Sequence, residues 1–283
     1  MPRCQNFNYE FSSRETILII VGGVYLSVMY INPHSGVTAL SETILQLSGS
    51  RGSFALGFSY SELASFVMRL FPELIFELYA GIMLYRHFCT ASIYIFSRYP
   101  HRVRWYIREA CQLGGLVCIF NMLLLVVTIL TTASRYRLQI DSAGIVLMTY
   151  HFLIHSLWVY LMTLLVNLLA IYFGSSTAYA FVISAQIVCI VLLNLMDLLV
   201  KHYGGKLSYE NVIIWDPIAH LVLGWHSSNM EIVNQVLTSS YMQVDLKCSL
   251  IIFLLFGMIT TFVGGVIIKE YDLLVTDLET EVS

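Results

Sequence analysis

Charged side chains are scarce in this sequence. Only 12% of its 283 residues are Asp, Glu, Lys or Arg, whereas an ordinary soluble domain has about 25%. Hydrophobic residues make up 58% of the chain. This composition excludes an ordinary soluble domain and predicts a membrane protein. The net charge of -3 gives no overall basic field, so nucleic acid is not an expected partner.

A phosphate-binding loop is also missing. Such a loop has the pattern G-x-x-x-x-G-K-[ST]. The one Gly-Lys pair, Gly205-Lys206, is followed by Leu207, and Val200 stands where the first glycine belongs. We therefore predict that the chain is not an enzyme that hydrolyses ATP by this route, and that it holds no cofactor of its own.

The apolar runs are long enough to cross a bilayer, for which a helix needs ~20 residues. Residues 142–196 carry no charged side chain over 55 positions, which predicts two helices joined at Gly174–Thr177. The second run is the least apolar, because Arg69, Glu73 and Glu77 interrupt it. The prediction is an all-α polytopic protein, one transmembrane domain over residues 1–283, with spans at about 16–31, 66–85, 110–133, 145–173, 178–200 and 249–268.

Two longer segments, 32–64 and 201–247, are predicted to lie outside the cell. Helical spacing of apolar residues over Val37–Leu47 indicates a short helix on the outer surface. Ser59, three residues before a glutamate, is a candidate cap for the next helix. The apolar piece Ile218–Trp225 is too short to span, so it is predicted to dip partway into the bilayer, with protein burying its backbone.

Basic residues concentrate between the second and third spans. Residues 86–108, here called the basic elbow, hold five of the fifteen Lys and Arg residues together with aromatic rings that include Tyr94, Phe96, Tyr99, Trp105 and Tyr106. Pro100 divides the elbow into a short helix and a new helix that enters the membrane. Because short cytoplasmic loops accumulate Lys and Arg, the elbow and both termini are placed in the cytoplasm. Of the six cysteines only Cys248 then lies near the outer face, so no disulfide is predicted.

The six-span pattern, the basic elbow and the long outer segment before the last span resemble the ABC-2 type permease, the membrane subunit of a bacterial ABC transporter. The run YIFSRYPHRVRWYIREA, after the helix end LYAGIMLYR, is similar to permeases of bacteriocin or lantibiotic export and self-immunity. The resemblance implies a multi-pass protein of the bacterial plasma membrane that moves a hydrophobic or amphipathic substrate such as an antimicrobial peptide.

The resemblance also implies partners. ATP and Mg would be bound by a separate cytoplasmic ABC ATPase subunit, and a second permease would complete a homodimer or heterodimer. In such permeases the elbow is a coupling helix that sits in a groove of the ATPase. Carried over to this chain, the expected ATPase contacts are Tyr94, Ile95, Phe96, Arg98, Tyr99, His101, Arg102 and Arg104.

Polar side chains inside the spans are candidates for a substrate path. Glu73 and Glu77 are four residues apart and share a helix face, where burial in hydrocarbon is costly. They either attract a cationic peptide or form a structural pair with Arg69, with tyrosines or with a partner permease. The remaining candidates are four: Asn121 and Asn167, expected to bond between helices, and Asn194 and Asp197, expected near the outer helix end.

Other functions compete with transport. His151 and His155 have the i, i+4 spacing that can hold a metal, but no His-Glu-x-x-His pattern accompanies them, so no metal site is predicted. A membrane-embedded hydrolase would pair Ser59 with His151 or His155. A scaffold or sensor subunit, which associates with a transporter without lining its path, is the third alternative.

Overall fold

The computed structural model describes residues 13–33, 36–49, 60–94, 101–203, 214–237 and 244–270. These residues are mostly helical. The helices are α1 (Ser13–Tyr30), α2 (Leu40–Ser48), α3 (Tyr60–Ala80), α4 (Met83–Tyr94), α5 (Arg102–Arg135), α6 (Ser142–Phe173), α7 (Ser175–Tyr203), α8 (Glu231–Asn234) and α9 (Leu246–Glu270). Two short strands, β1 (Val37–Ala39) and β2 (Arg137–Gln139), pair in parallel.

Within the described ranges, four helices are long and apolar enough to cross a membrane: α5, α6, the Ser175–Leu193 part of α7, and α9. The first helix has a shorter apolar stretch, Thr16–Tyr30. The chain is therefore a mainly α-helical, membrane-embedded protein. Helix α3 is not among the four, since Arg69, Glu73 and Glu77 lie along it.

The uncharged 55-residue run is divided at Gly174. Helix α6 ends at Phe173 and α7 begins at Ser175, within the joint that the sequence predicts. Gly174 has a φ of 78°, a conformation that suits glycine. Its N–H donates to Ala170 O at 3.0 Å, which closes the last turn of α6 and lets α7 return directly along it.

The second predicted span, 66–85, is two helices instead of one. Helix α3 ends at Ala80, and α4 starts at Met83 after a turn at Gly81. Gly81 N–H donates to Glu77 O at 2.7 Å, and a Cβ on Gly81 would collide with that carbonyl. Glycine thus permits the break that separates the apolar part of α3 from α4.

The basic elbow is helical at both ends. Its first part continues α4 as far as Tyr94, and its last part, from Arg102, forms the first two turns of α5. The sequence predicts this division around Pro100. Residues 95–100, between the two helices, lie outside the described part of the chain.

The predicted outer helix exists as α2, but it is packed into the protein and does not lie on its surface. Thr43 and Ile44 are fully buried, and α2 packs against α6 and the turn at Leu223–Trp225. The apolar piece Ile218–Trp225 is likewise buried, as two 3-10 turns. These two pieces close one end of the helix bundle.

Asp141 joins α2 to α6 at this closed end. Its Oδ1 accepts from Ser41 N at 3.0 Å, and its Oδ2 accepts from Gly144 N at 3.2 Å, so one carboxylate caps α6 and anchors α2. Burial by itself would raise the pKa of Asp141, but the hydrogen bonds from Ser41 and Gly144 hold it below the ordinary value. The carboxylate is therefore ionised when it serves as the cap.

We expect Asp141→Ala to lower the free energy of unfolding by about 1 to 2 kcal/mol, the usual cost of losing an N-cap. The stabilisation should be present above pH ~4 and lost as the pH falls through the lowered pKa, because the unfolded carboxyl binds its proton more readily. Unfolding by SDS in mixed micelles, measured at pH 7 and at pH 3, tests this. Equal stability of variant and parent at pH 7 would contradict it.

Candidate functional site: a buried polar cluster and a basic elbow

Glu73 and His155 form the centre of a polar cluster between α3 and α6. Glu73 Oε1 lies 2.7 Å from His155 Nδ1, and both side chains are more than nine-tenths buried. One turn before His155, His151 lies with its ring centroid 4.1 Å from that of His155. The i, i+4 spacing thus brings both imidazoles to the face of α6 that meets Glu73.

Glu77 is paired with a residue that sequence reasoning missed. Its Oε2 accepts from Gln186 Nε2 on α7 at 2.7 Å, and Glu77 is fully buried. Gln186 is an amide with apolar neighbours on both sides in α7, and that contrast is the signal that the sequence offers. The two glutamates therefore face different helices, α6 and α7, and neither is paired with Arg69, whose guanidinium lies over the Tyr30 ring at 4.6 Å.

Two asparagines bond across helices. Asn121 Nδ2 donates to Ser156 Oγ at 3.4 Å, linking α5 to α6. Asn167 is fully buried beside the break between α3 and α4: its Oδ1 accepts from Tyr85 N at 2.9 Å, and its Nδ2 lies 3.3 Å from Ala80 O. Asn167, on α6, therefore hydrogen-bonds to the backbone on both sides of the break between α3 and α4.

A cavity of about 30 Å³ opens beside the Glu73–His155 pair. Its polar lining comes chiefly from Arg69, Glu73, His151 and His155. Each of these has a buried polar atom with no hydrogen-bond partner in the protein: Arg69 Nε, Glu73 Oε2, His151 Nδ1 and His155 Nε2. The volume suits one or two water molecules, which would supply those partners.

The structure does not assemble a metal site from the histidines. Among the described residues, no group of three or more His, Cys, Asp or Glu side chains is arranged to hold a metal ion. His220 and His226 lie instead at the closed end, where both rings contact Ser249 Oγ at 2.7 Å and tie the 3-10 turns to the first turn of α9. Ser59, the candidate nucleophile, lies outside the described residues.

The basic elbow presents exposed charge at the other end of the bundle. His101, Arg104 and Arg108 are exposed, and Arg102 is half-buried. Beneath them Glu109 is buried, accepts from Arg108 Nη2 at 3.1 Å and lies 2.9 Å from His87 Nδ1. Glu109 thereby joins the first half of α4 to the start of α5, a role that sequence reasoning did not find.

The other candidates are less fully described. Tyr94 is the last residue of α4, and Asn194 and Asp197 lie on α7, but their side chains are outside the described part of the structure. Four more, Ile95, Phe96, Arg98 and Tyr99, lie in the segment between α4 and α5 that is not described.

No family model matches the chain, and it matches no curated protein and no solved structure. Its function is therefore inferred from its own residues.

Proposed function

We propose that the chain is the permease subunit of an ATP-driven ABC transporter in the bacterial plasma membrane. The basic elbow is the observation that carries this proposal. Exposed arginines stand on α4 and α5, and Glu109 joins these two helices through its contact with His87. A basic surface next to membrane helices suits the docking of a cytoplasmic ATPase, which this chain, without a phosphate-binding loop, needs as its source of energy.

The length of α5 supports the placing of the elbow outside the bilayer. Its 34 residues span roughly 51 Å at 1.5 Å per residue, against roughly 30 Å for the hydrocarbon core. The uncharged part begins at Ala110. The two charged turns before it therefore project beyond the lipid, and their positive charge favours the cytoplasmic side.

The helix break offers a route from the elbow to the polar cluster. The ATPase would move the elbow and, with it, α4. This helix begins at Met83, just after the turn that Asn167 joins to Tyr85 and Ala80, and Glu77 is one turn before that break. A tilt of α4 about Gly81 would be transmitted to α3 and would open the Glu73–His155 and Glu77–Gln186 contacts to a substrate.

The permease would have six spans, α3 and α4 together forming the second, and both termini in the cytoplasm. The buried state of the cluster then corresponds to a closed path. A hydrophobic or amphipathic peptide suits this path, because the largely apolar walls of the cavity include Glu73, with Glu77 one turn further along α3, and carboxylates attract cationic groups. A second permease copy or relative would complete the transporter.

Copurification tests the docking proposal. The triple variant Phe96→Ala, Tyr99→Ala and Arg102→Ala should lose an ATPase subunit that copurifies with the parent chain, and should lose stimulation of its ATP hydrolysis. Arg137→Ala, at the closed end on β2, is the matched control and should retain both. Full retention in the triple variant would refute the docking role of the elbow.

A further inference from the structure

An apolar groove of about 610 Å³ runs along the outside of the bundle between α5 and α9. One wall is formed by Val103, Ile107 and Cys111, spaced one turn apart on α5. On the α9 wall, Gly257 and Gly265 line the groove, and because they have no side chains they leave its space open. We call this feature the α5–α9 groove.

Among the described residues that line the floor of the groove, both hydroxyl groups are hydrogen-bonded, so neither opposes an apolar occupant. Tyr160 on α6 and Thr261 on α9 line it, and their hydroxyls hydrogen-bond to each other at 3.0 Å. Thr261 Oγ1 also donates to Gly257 O at 2.8 Å. An alkyl chain in the groove would therefore bury apolar surface without breaking a hydrogen bond.

The groove has charge at one end only. Among the described residues that line it, Lys269 is the one charged side chain, and it is exposed in the last turn of α9. The exposed Arg104 stands in the first turn of α5 at the same end of the bundle, since Gly265 packs against Val103. From Leu254 to Lys269 the groove extends roughly 22 Å along α9, about the thickness of one leaflet with its headgroup region, which is half of roughly 40 to 45 Å.

We propose that the α5–α9 groove binds one anionic phospholipid, with an acyl chain along Gly257 and Gly265 and its headgroup phosphate on Lys269. The positive charge at one end of the groove distinguishes a phospholipid from two other possible occupants, a second copy of the chain and a cationic peptide. A second copy seated groove to groove by a two-fold axis would bring the two basic ends together at the same membrane depth, and a cationic peptide would meet the same repulsion. The negative charge of a phosphate is instead attracted to this basic end of the groove. This site does not depend on the permease assignment.

Substitutions at two glycines can fill the groove without disturbing the packing of the helices around it. A Cβ at Gly257 would lie 3.9 Å from Tyr160, and one at Gly265 would lie 3.8 Å from Val103, both ordinary contacts. Leucine at these positions should fill the groove without a clash. Gly115→Leu is the matched control, because a Cβ there has no atom within 4 Å.

Native mass spectrometry of the full chain, titrated with phosphatidylglycerol or phosphatidylcholine, tests the proposal. We expect the parent to retain one phosphatidylglycerol at least fivefold more tightly than phosphatidylcholine, the effect of one basic side chain at about 1 kcal/mol. Lys269→Gln should abolish this preference, Gly257→Leu with Gly265→Leu should abolish retention of both lipids, and Gly115→Leu should change neither. Helical content by circular dichroism shows that each variant is folded.

Two results would overturn the proposal. One is equal retention of the two lipids by the parent chain. The other is a filled groove that leaves lipid retention unchanged while converting a dimer to a monomer, which would assign this face to a second copy.

Discussion

Glu73→Ala is expected to lower the free energy of unfolding by about 3 to 5 kcal/mol, the usual cost of removing one partner from a buried pair. Glu73 and His155 are both buried and 2.7 Å apart. Removal of the carboxylate leaves His155 Nδ1 without its acceptor, next to a His155 Nε2 that already has no protein partner. SDS unfolding in mixed micelles measures the loss.

A double variant distinguishes the loss of the Glu73–His155 contact from the loss of side-chain volume. Adding His155→Ala to Glu73→Ala should cost less than the sum of the two single changes, because neither orphaned group remains. Glu42→Ala, which removes an exposed glutamate on α2, is the control and should change stability by less than about 0.5 kcal/mol. Equal stabilities of Glu73→Ala and Glu42→Ala would show that the buried pair contributes nothing.

Asn167→Ala is expected to cost about 3 kcal/mol and to uncouple the elbow from the cluster. The side chain makes three hydrogen bonds, to Tyr85 N, Ala80 O and Thr163 O. Its loss leaves at least one buried backbone group at the break unsatisfied, at roughly 1 to 3 kcal/mol for each such group. Without these hydrogen bonds, movement of α4 would no longer be transmitted to α3. Substrate should therefore stimulate ATP hydrolysis less, although the partner ATPase still binds.

Asn121→Ala is the matched control for this prediction. Asn121 is also a buried amide in a span, but it makes one long hydrogen bond, 3.4 Å to Ser156 Oγ. Its replacement should cost about 1 kcal/mol and leave stimulation intact. If both variants were equally stable and equally stimulated, the break would have no special role.

Two helix boundaries follow from local features of the sequence, whereas the break at Gly81 within the predicted span 66–85 was not predicted. The absence of charge over residues 142–196 requires two helices, and a glycine in a left-handed conformation marks the place where they meet, at Gly174. Likewise Pro100 predicts the start of α5 within two residues. Both inferences need only the chain near the feature, which is why sequence patterns suffice.

The polar cluster could not be predicted in the same way. The acceptor for His155 lies 82 residues away on α3, and the donor to Glu77 lies 109 residues away on α7. The i, i+4 spacing of His151 and His155 is compatible with a metal, with a carboxylate partner or with simple packing, and only the neighbouring helix distinguishes them. The burial of α2 has a similar origin, since it depends on the bond from Asp141 to Ser41 across 100 residues.

Labelling at position 101 tests most directly whether the basic elbow lies inside the cell. In a chain whose six native cysteines are replaced, His101→Cys introduces a thiol at an exposed position just before α5. We predict that a membrane-impermeant maleimide labels it only after the cells are permeabilised, whereas Arg137→Cys is labelled in intact cells. Labelling of His101→Cys in intact cells would place the elbow outside and contradict docking to a cytoplasmic ATPase.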